Sequence, residues 1–546
     1  MPIVIVDDKE IEIGAGEKLN GIQAAARAGG EVPHYCWHPG LSVVASCRMC
    51  LVEVGKRDPA TGKITMQPKV VPACQTPATP DTVFVTKSEK VAAARAMVEE
   101  DLLIRHPIDC PICDKAGECS LQDYHFEHGR ESRRADIKPF TSRRRELGDT
   151  ITLFVDRCVM CTRCVRFTRE ITGSSELMVV NRGAHEEIDV FRDSTGEAVF
   201  PLETKLSGCV SDLCPVGALG DKDFLYQQRV WFMKSHDHVC GGCSTGCSIK
   251  VEENQDQVYR LKPRENPHIN QWWMCDEGRY GWKHIHADTR MAEPRKRAGG
   301  EYVNVEWPEI NEPLEKDLQA AGKLAAVLSP HLTVEEAYLL ATYIRSLDPT
   351  AVIAVGPIPT EGTDETFRNG FTIRAEKCPN RKGVEAIAAR FQGGLIAWEE
   401  LVSRASKGEF QGVWLAGGYK TDWNDEATAA KFTAVKTLVV QDCFASPLWN
   451  QATWQLPGGT FAEREGSFVN FNDRLQSFRW AVRPPAGVKI EGQLYWQLLE
   501  RPGLYNARKV LDEVATEISS FAAVLTGVSE FGVDLKVNQL APVPSP

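Results

Sequence analysis

Cysteine placement constrains this chain more than any other feature of its sequence. Sixteen of the 18 cysteines lie between Cys36 and Cys275, and only Cys378 and Cys443 follow. Cysteines that serve only as small apolar side chains would follow the period of a helix or a strand, and these do not. Short Cys-x2-Cys spacings in a long chain without a signal peptide favour the ligation of metals or clusters over disulfides.

Size and charge exclude several other classes of protein. With 546 residues the chain is long enough for several domains. Its net charge of -11 and its pI near 5.7 argue against a general nucleic-acid binder. The N-terminus lacks the pattern of a secretory peptide, and no stretch approaches the roughly 18 apolar residues of a membrane span. We therefore expect a cytoplasmic protein with no nucleic-acid partner.

The first group of cysteines follows a predicted hairpin and helix. Residues 3–6 and 11–13 predict two strands, and residues 20–28 predict a short helix capped by an asparagine. This order is typical of a β-grasp, ferredoxin-like domain, expected here over residues 1–86. Four thiolates suffice for one [2Fe–2S] cluster, and a zinc knuckle is the alternative. The expected ligands are Cys36, Cys47, Cys50 and Cys74.

A histidine joins three cysteines in the second group. Residues 88–105 predict a helix that begins at a Ser88 cap and ends at a loop with one imidazole and three thiols. A single histidine at a helix end is more often a cap than a ligand, but the three cysteines that follow favour ligation. Zinc and iron–sulfur clusters both accept this set, and the neighbouring groups favour a [4Fe–4S] cluster in a domain over residues 87–145. The expected ligands are His106, Cys110, Cys113 and Cys119.

The third group is a Cys-x2-Cys-x2-Cys run with a later Cys-Pro pair. In a two-cluster bacterial ferredoxin each run has its own Cys-Pro, whose cysteine serves the opposite cluster. Here the positions that the second cluster would need hold Thr168, Thr204, Ser207 and Val210. One [4Fe–4S] cluster is therefore expected in a ferredoxin-like domain over residues 146–232. Its expected ligands are Cys158, Cys161, Cys164 and Cys214, and Cys209 is expected to be a buried thiol outside every set.

The fourth group has glycine-rich gaps that allow the backbone to pass close to a cluster. Residues 249–253 and 257–261 predict two strands of a small β-rich domain, expected over residues 233–295. We interpret this group as a third [4Fe–4S] site. Its expected ligands are Cys240, Cys243, Cys247 and Cys275. Fifteen cysteines and one histidine thus complete four quartets, without Cys209, Cys378 and Cys443.

These motifs together resemble the large iron–sulfur subunit of NADH:quinone oxidoreductase, respiratory complex I. The resemblance covers residues 1 to about 295, and the fourth quartet matches an additional cluster of some bacterial members. The motifs that carry it are Tyr35-Cys36, Ser46 to Glu53, His106 to Asp123, Cys158 to Cys164, Asp212 to Leu219, and Cys240 to Cys275.

The resemblance implies an electron relay within a larger enzyme. The [2Fe–2S] cluster would receive electrons from the flavin-bearing, NADH-binding subunit. The Cys158 cluster and then the His106 cluster would pass them toward a ferredoxin-like two-cluster subunit and finally quinone, with the Cys240 cluster off this path. Other implied partners are a small [2Fe–2S] subunit and the quinone-site subunits. The chain would lie in the peripheral arm of an inner-membrane complex that also translocates protons, and would meet the membrane only through that complex.

Composition changes beyond residue 295 and predicts an α/β domain over residues 296–546. Short apolar runs typical of buried parallel strands alternate with helices such as residues 334–345. These runs are residues 324–329, 352–356, 412–417 and 437–441. The resemblance implies a truncated relic of the molybdopterin oxidoreductase fold, carried by residues 458–476, without the cofactor. No dinucleotide fingerprint, Walker motif or nucleophile elbow is present, so neither NAD nor flavin is expected to bind, and the chain alone should hold no complete catalytic site.

Three alternatives remain open at the level of the sequence. A molybdenum or tungsten formate dehydrogenase linked to NAD would need Cys378 or Cys443 as a metal ligand, yet Cys378 is followed by Pro379 rather than the histidine of such enzymes. An iron-only hydrogenase would need further active-site cysteines. A zinc-stabilised interaction scaffold would need no redox chemistry. We interpret the basic residues 130–145 as a solvated linker and the proline-bearing residues 541–546 as an extended tail.

Overall fold

The computed structural model describes residues 2–14, 16–181, 183–391 and 395–536, and the tail at 541–546 lies outside these ranges. The chain divides into two compact units. The first comprises Met1–Met233 with Phe367–Asn369, and the second comprises Lys234–Thr366 with Gly370–Pro546. The expected mixture of α+β and α/β regions is confirmed at this coarse level.

A six-stranded sheet opens the first unit, with the order β2-β1-β6-β3-β4 and β5 paired to β3. Its elements are β1 (Ile3–Val6), β2 (Lys9–Glu12), α1 (Gly21–Arg27), β3 (Leu51–Arg57), β4 (Ile64–Met66), β5 (Val71–Pro72) and β6 (Thr82–Val85). The hairpin turn has positive φ at Asp7 and Asp8, the backbone that a two-residue turn requires. A capping box between Asn20 and Gln23 begins α1, as its sequence predicts.

Two helices and two small sheets complete this unit. The helices α2 (Glu89–Leu103) and α3 (Ser120–His128) flank the histidine-bearing loop. The remaining elements are β7 (Arg144–Glu146), β8 (Ile151–Phe154), α4 (Arg163–Phe167), β9 (Leu177–Val180), β10 (Glu187–Arg192), β11 (Ala198–Phe200), α5 (Cys209–Leu213) and β12 (Leu219–Asp221). They form the sheets β12-β8-β7 and β11-β10-β9.

Two features of this region differ from the sequence prediction. Helix α2 ends at Leu103 rather than at residue 105, a difference within the one or two residues by which the last turn of a helix commonly frays. Part of the predicted basic linker forms the strand β7. Its arginines pair with carboxylates, such as Arg143 with Asp156 and Arg145 with Asp189, each at 2.8–2.9 Å. The basic residues therefore belong in part to the folded unit.

The second unit begins with a three-stranded antiparallel sheet, followed by a seven-stranded sheet. The first comprises β13 (Lys234–Val239), β14 (Ser248–Asn254) and β15 (Gln257–Pro263), and α6 (Asp276–Tyr280) follows. The second has the order β17-β16-β24-β23-β22-β18-β19. Its strands are β16 (Arg295–Ala298), β17 (Glu301–Asn304), β18 (Leu324–Leu328), β19 (Val352–Val355), β22 (Gly412–Ala416), β23 (Thr437–Asp442) and β24 (Trp454–Pro457). The helices between them are α7 (Asn311–Ala321), α8 (Val334–Leu347), α9 (Arg381–Ala389), α10 (Trp398–Ser406), α11 (Glu426–Ala429) and α12 (Pro447–Gln451). A separate hairpin of β20 (Glu365–Thr366) and β21 (Thr372–Ile373) lies between β19 and α9 in the chain.

Five neighbouring strands of this large sheet are parallel: β24, β23, β22, β18 and β19. Their side chains are buried on both faces, which explains the uninterrupted apolar runs that predict them. A third sheet and two helices close the unit: β25 (Gly466–Val469), β26 (Arg474–Phe478), α13 (Glu491–Leu498), α14 (Ala507–Glu517) and β27 (Val533–Asp534).

Candidate functional site

The first quartet lies in the loops that border β3 and β5. Cys50 directly precedes β3 and Cys74 follows β5, while Cys36 and Cys47 lie on the long loop between α1 and β3. The thiol of Cys36 contacts those of Cys47 and Cys74, and the thiol of Cys50 contacts that of Cys74. The structure thus brings all four predicted thiols together.

Hydrogen bonds within this quartet give the thiols different pKa values. The bonds from Cys47 and Cys74 lower the pKa of the Cys36 thiol. The bond to Cys36, together with burial, raises the pKa of the Cys47 thiol. The backbone N–H of Cys36 also donates to Cys47 Sγ at 3.5 Å. One sulfur of the group therefore carries negative charge most readily, and backbone and side-chain donors are already directed at the sulfurs.

The second quartet occupies the loop between α2 and α3 and is more open to solvent. Cys110 is exposed, whereas Cys113 and Cys119 are partly buried. Burial and the charge of Arg157 lower the pKa of His106 to about 4, so the imidazole is neutral at pH 7 and can act as a ligand. Cys113 interacts electrostatically with Cys110, with Cys119 and with the same Arg157 that acts on His106.

A glycine allows the backbone to approach this second quartet. A Cβ atom on Gly217 would lie 2.2 Å from Cys113 Sγ, a distance that no side chain could occupy. Gly217 belongs to the segment that follows Cys214, a predicted ligand of the third quartet. The loops of the second and third quartets are therefore in direct contact.

The third quartet surrounds a small apolar cavity. Its four sulfurs interact electrostatically with one another. Burial raises the pKa of the Cys161 thiol to about 11 and that of Cys158 and Cys164 further. The thiols lining the cavity are Cys158, Cys161, Cys164 and Cys214, with Leu153, Val159, Ile188, Val216 and Leu219 among the apolar neighbours.

Buried residues occupy three of the four positions at which a second ferredoxin cluster would have its ligands. Thr168, Ser207 and Val210 are each at most 1% exposed, whereas Thr204 is partly buried. The hydroxyl of Ser207 shares a hydrogen bond with that of Thr150, which precedes β8. The three buried side chains pack the domain interior, and a single cluster here stays a prediction.

The fourth quartet lies in the second unit, around the small antiparallel sheet. Cys240 follows β13, Cys247 precedes β14 and Cys275 begins α6. A Cβ atom on Gly278 would lie 3.2 Å from Cys240 Sγ and 3.5 Å from Cys275 Sγ. The absence of a side chain at this glycine therefore allows the two thiols to lie close to each other. Burial raises the pKa of the Cys240 thiol to about 12, and the four sulfurs interact electrostatically.

The donor chemistry of the four quartets fits iron–sulfur clusters. None of the 18 cysteines, which all lie in described stretches, forms a disulfide. Among the described residues no group of three or more His, Cys, Asp or Glu side chains is arranged around a single metal ion. The ligands of a cluster bind different iron atoms and need not converge on one point. Buried thiols with raised pKa become thiolates only beside a cation, which iron would supply.

The cysteines outside the quartets are buried. Cys209 begins α5 and is 1% exposed. Cys378 lies with its Sγ 3.8 Å from a carboxylate oxygen of Glu376, and Cys443 donates to the carbonyl of Gly459 at 3.4 Å. Burial raises the pKa of the Cys378 and Cys443 thiols, so neither is poised as a reactive thiolate.

Sequence reasoning missed two features of the sites. Three arginines beside the third quartet bond to the loops of the other two quartets; they are Arg157, Arg163 and Arg166. Their adjacency to Cys158 and Cys164 in the sequence was the available signal. The second feature is a small cavity beside Cys240, lined also by His284, His331, Lys420, Phe461 and Arg464.

Family models match most of the chain in five consecutive stretches. The descriptions and residues are "2Fe-2S iron-sulfur cluster binding domain" (3–89), "NADH-ubiquinone oxidoreductase-G iron-sulfur binding region" (95–134), "NADH-quinone oxidoreductase subunit 3, ferredoxin-like domain" (148–220), "Molybdopterin oxidoreductase Fe4S4 domain" (233–287) and "Molybdopterin oxidoreductase" (388–501). The expected order of [2Fe–2S], [4Fe–4S] and molybdopterin-oxidoreductase-like regions is thereby confirmed.

Relatives of known name match the cysteine-rich part of the chain. The G subunit of the NADH-quinone oxidoreductase of Rickettsia felis is 33% identical over 344 residues, which are 63% of this chain and 48% of the relative. The NADH-ubiquinone oxidoreductase 75 kDa subunit of Reclinomonas americana is 32% identical over 359 residues, 65% of this chain and 49% of the relative. The chain thus spans about half the length of the curated relatives it matches.

A solved structure of an NAD+-reducing [NiFe]-hydrogenase in the H2-reduced state also matches. Its sequence is 27% identical, and the match covers 42% of this chain and 91% of that chain. The TM-score of 0.34 is too low to define a shared fold.

The matched regions and the thiol quartets together define an iron–sulfur protein of the electron-transfer class. More particularly, the chain is similar to the large iron–sulfur subunit of NADH-quinone oxidoreductase, which is called the G subunit or the 75 kDa subunit in its relatives.

Proposed function

We propose that this chain is the iron–sulfur electron-relay subunit of an NADH:quinone oxidoreductase. Electrons from a flavin-bearing partner enter at the [2Fe–2S] site, cross the Cys158 site and leave from the His106 site toward quinone. The observation that carries the proposal is that the loops of these three quartets contact one another inside the first unit. The guanidinium of Arg166, for example, bonds to the backbone of both Cys36 and Cys161.

The proposed cofactors are one [2Fe–2S] and three [4Fe–4S] clusters. Their proposed ligands are the four quartets of predicted residues, in the five domains that the sequence predicts. A bound cluster supplies one-electron transfer. The chain itself holds the ligands in fixed loops, excludes water from the Cys158 site and directs backbone donors at sulfur, such as Met160 N–H at 3.4 Å from Cys158 Sγ.

The His106 site has the features of an exit toward a partner. Around the exposed Cys110, the side chains of Ile108 and Ile112 are 76% and 59% exposed, and those of Trp231 and Phe232 are 58% and 59% exposed. Arg229 joins the second pair to this loop by donating to the Cys113 carbonyl at 2.7 Å. An exposed apolar group of this kind marks an interaction surface. We assign it to the ferredoxin-like two-cluster subunit.

Other proposed partners are the flavin- and NADH-binding subunit, the small [2Fe–2S] subunit and the quinone-site subunits. Over the described residues, the helices are all too short or too polar to cross a bilayer. Contact with the inner membrane would therefore run through the complex, with this chain in the cytoplasmic peripheral arm and proton translocation in the whole assembly.

The second unit is proposed as a scaffold without molybdopterin, and its Cys240 cluster as a centre off the main path. Two positively charged side chains, Arg464 and Lys420, line the cavity beside Cys240, and both form ion pairs with carboxylates. Arg464 bonds to Glu336 and Glu491, each at 3.0 Å, and Lys420 lies 3.5 Å from Glu277. A cofactor that carries phosphates would need positive charge that these carboxylates neutralise.

One cysteine-to-serine variant in each quartet of the assembled complex tests the relay. We expect Cys50→Ser, Cys113→Ser and Cys161→Ser to abolish NADH-dependent quinone reduction, and Cys247→Ser to retain most of it. Full activity in any of the first three would contradict the proposed path. Stoichiometric molybdenum or tungsten in the purified complex would instead favour a formate dehydrogenase.

A further inference from the structure

Arg166 of α4 joins the first and third quartets. Its side chain is buried, and its guanidinium donates to the backbone carbonyls of Cys36 and Ser42 in the loop of the first quartet. It also donates to the carbonyl of Cys161, in the third quartet, at 3.1 Å. A single rigid cation therefore touches a predicted ligand residue of two different sites.

Two further side chains of the same segment hold the same loop. Arg163 donates to the carbonyl of Trp37 at 2.6 Å and to that of Leu213, beside Cys214, at 3.2 Å. Glu170 accepts from the backbone N–H of Ser42 at 2.9 Å. All these bonds come from one short segment, residues 163–170. The guanidinium groups of Arg163 and Arg166 on this segment therefore set the spacing of the two quartets.

Arg157 makes the equivalent connection between the third and second quartets. It directly precedes Cys158, and its guanidinium pairs at 2.9 Å with Asp109, which directly precedes Cys110. Its side chain is 4% exposed and lies over the ring of Phe154, 4.0 Å from the ring centre. The same guanidinium acts electrostatically on His106 and Cys113.

A purely structural role would not require a charge at these positions. Removing a guanidinium from water is costly, and an apolar side chain of similar length often packs as stably in its place. A buried cation has a second effect beside a redox centre. Reduction adds one negative charge, which a nearby cation stabilises in a medium of low dielectric constant. The cation thus raises the reduction potential of every centre that it approaches.

We infer that Arg166 and Arg157 are positioning residues, each of which fixes the spacing of two neighbouring clusters and raises the reduction potentials of both. Arg166 acts on the [2Fe–2S] and Cys158 clusters, and Arg157 acts on the Cys158 and His106 clusters. The inference rests on the proposed function. One electron moves in each step, from the reduced donor to the oxidised acceptor, with no bond made or broken and no proton required.

EPR-monitored redox titration of the full-length, cluster-loaded chain tests this pairing. In Arg166→Met we expect lower midpoint potentials for the [2Fe–2S] and Cys158 clusters and an unchanged value for the His106 cluster. In Arg157→Met the Cys158 and His106 values should fall while the [2Fe–2S] value stays. Arg95→Met is the matched control, because buried Arg95 donates to the carbonyl of Leu51, which begins β3 next to Cys50, and should lower the [2Fe–2S] value alone.

A second variant separates spacing from charge. Arg166→Lys keeps the cation but loses the fork that reaches both loops. Its midpoints should stay near those of the wild type, while the magnetic interaction between the reduced [2Fe–2S] and Cys158 clusters weakens. If Arg166→Met fails to assemble, Arg166→Lys and Arg157→Met decide the question.

The outcomes separate this inference from the function on which it rests. Shifts confined to one cluster, shared equally by all clusters or absent in both arginine variants would overturn the pairing. Wild-type protein without the [2Fe–2S] and Cys158 signals would overturn the proposed function instead.

Discussion

The two [4Fe–4S] sites of the first unit differ in their exposure to solvent. The Cys158 site is enclosed by apolar side chains, and burial raises the pKa of its thiols strongly. The His106 site lies on a loop in which Cys110 is exposed and Ile108 projects into solvent. Under the proposed function, the first is an internal junction and the second is a terminal site for a partner.

Loss of a ligand should affect folding far more at the buried site. We expect Cys161→Ser to lose its cluster and to lower the free energy of unfolding by about 4 kcal/mol or more, because a buried metal centre is lost. Cys110→Ser should lose or loosen its cluster with a much smaller change. Iron and sulfide content with thermal unfolding checks both variants, and equal destabilisation would remove the contrast.

Helix α2, which leads into the exposed loop, should contribute a pH dependence to stability. Glu99 is fully buried and accepts a hydrogen bond from Tyr35, and burial raises its pKa from 4.5 to about 7. The unfolded carboxyl ionises first, so stability falls as the pH rises from 4.5 to 7 and the penalty is complete above pH 7. It is on the order of 3 kcal/mol.

The variant Glu99→Gln removes this ionisation and keeps an acceptor for Tyr35. It should match the wild type near pH 4.5 and exceed it in stability at pH 8. Denaturant unfolding of the cluster-loaded chain at the two pH values measures the difference. A stability difference that is the same at both values would show that Glu99 does not titrate in this range.

Contact between the two sites should be sensitive to Gly217. A methyl group there collides with Cys113 Sγ, so Gly217→Ala should displace the exposed loop and cost about 1–3 kcal/mol, as overpacking does. The EPR signal of the His106 cluster should change or vanish while that of the Cys158 cluster remains. Gly30→Ala is the control, since the nearest atom to its added Cβ is 3.5 Å away. Loss of both signals would mean that the sites are not separable.

Surface apolar residues at the exposed site should matter for partners and little for stability. Ile112→Ser should change the free energy of unfolding by less than about 0.5 kcal/mol and leave the midpoint potentials unchanged. Quinone reduction by the assembled complex should nevertheless slow. Ile64→Ser, at a residue 45% exposed on β4, is the control and should leave the rate unchanged. Equal rates for the two variants would argue against a docking surface.

Local patterns predicted the secondary-structure elements of this chain well. The hairpin at Asp7-Asp8, the capped helices α1 and α2, and the buried parallel strands all rest on neighbours in the sequence. The quartets could be predicted for the same reason, since most of the expected ligands stand within a few residues of one another, and their role as ligands stays a prediction. For the α/β domain over residues 296–546, the sequence could predict the fold class only coarsely, because strand order depends on contacts between distant segments.

Contacts between the sites could not be predicted in this way. Arg166 and Cys36 are 130 positions apart, and no spacing in the chain records that their side chain and carbonyl meet. Long side chains such as arginine also adopt many rotamers, and only the folded packing selects one. The end of α2 was missed by two residues, because the last turn of a helix frays and its exact end is not encoded by local patterns.

EPR spectroscopy of the dithionite-reduced protein tests whether the four quartets hold four iron–sulfur clusters. We expect one [2Fe–2S] and three [4Fe–4S] signals, each removed by a serine substitution in its own quartet. Three centres in total would contradict the four quartets, and a colourless protein with zinc and no EPR signal would contradict the relay.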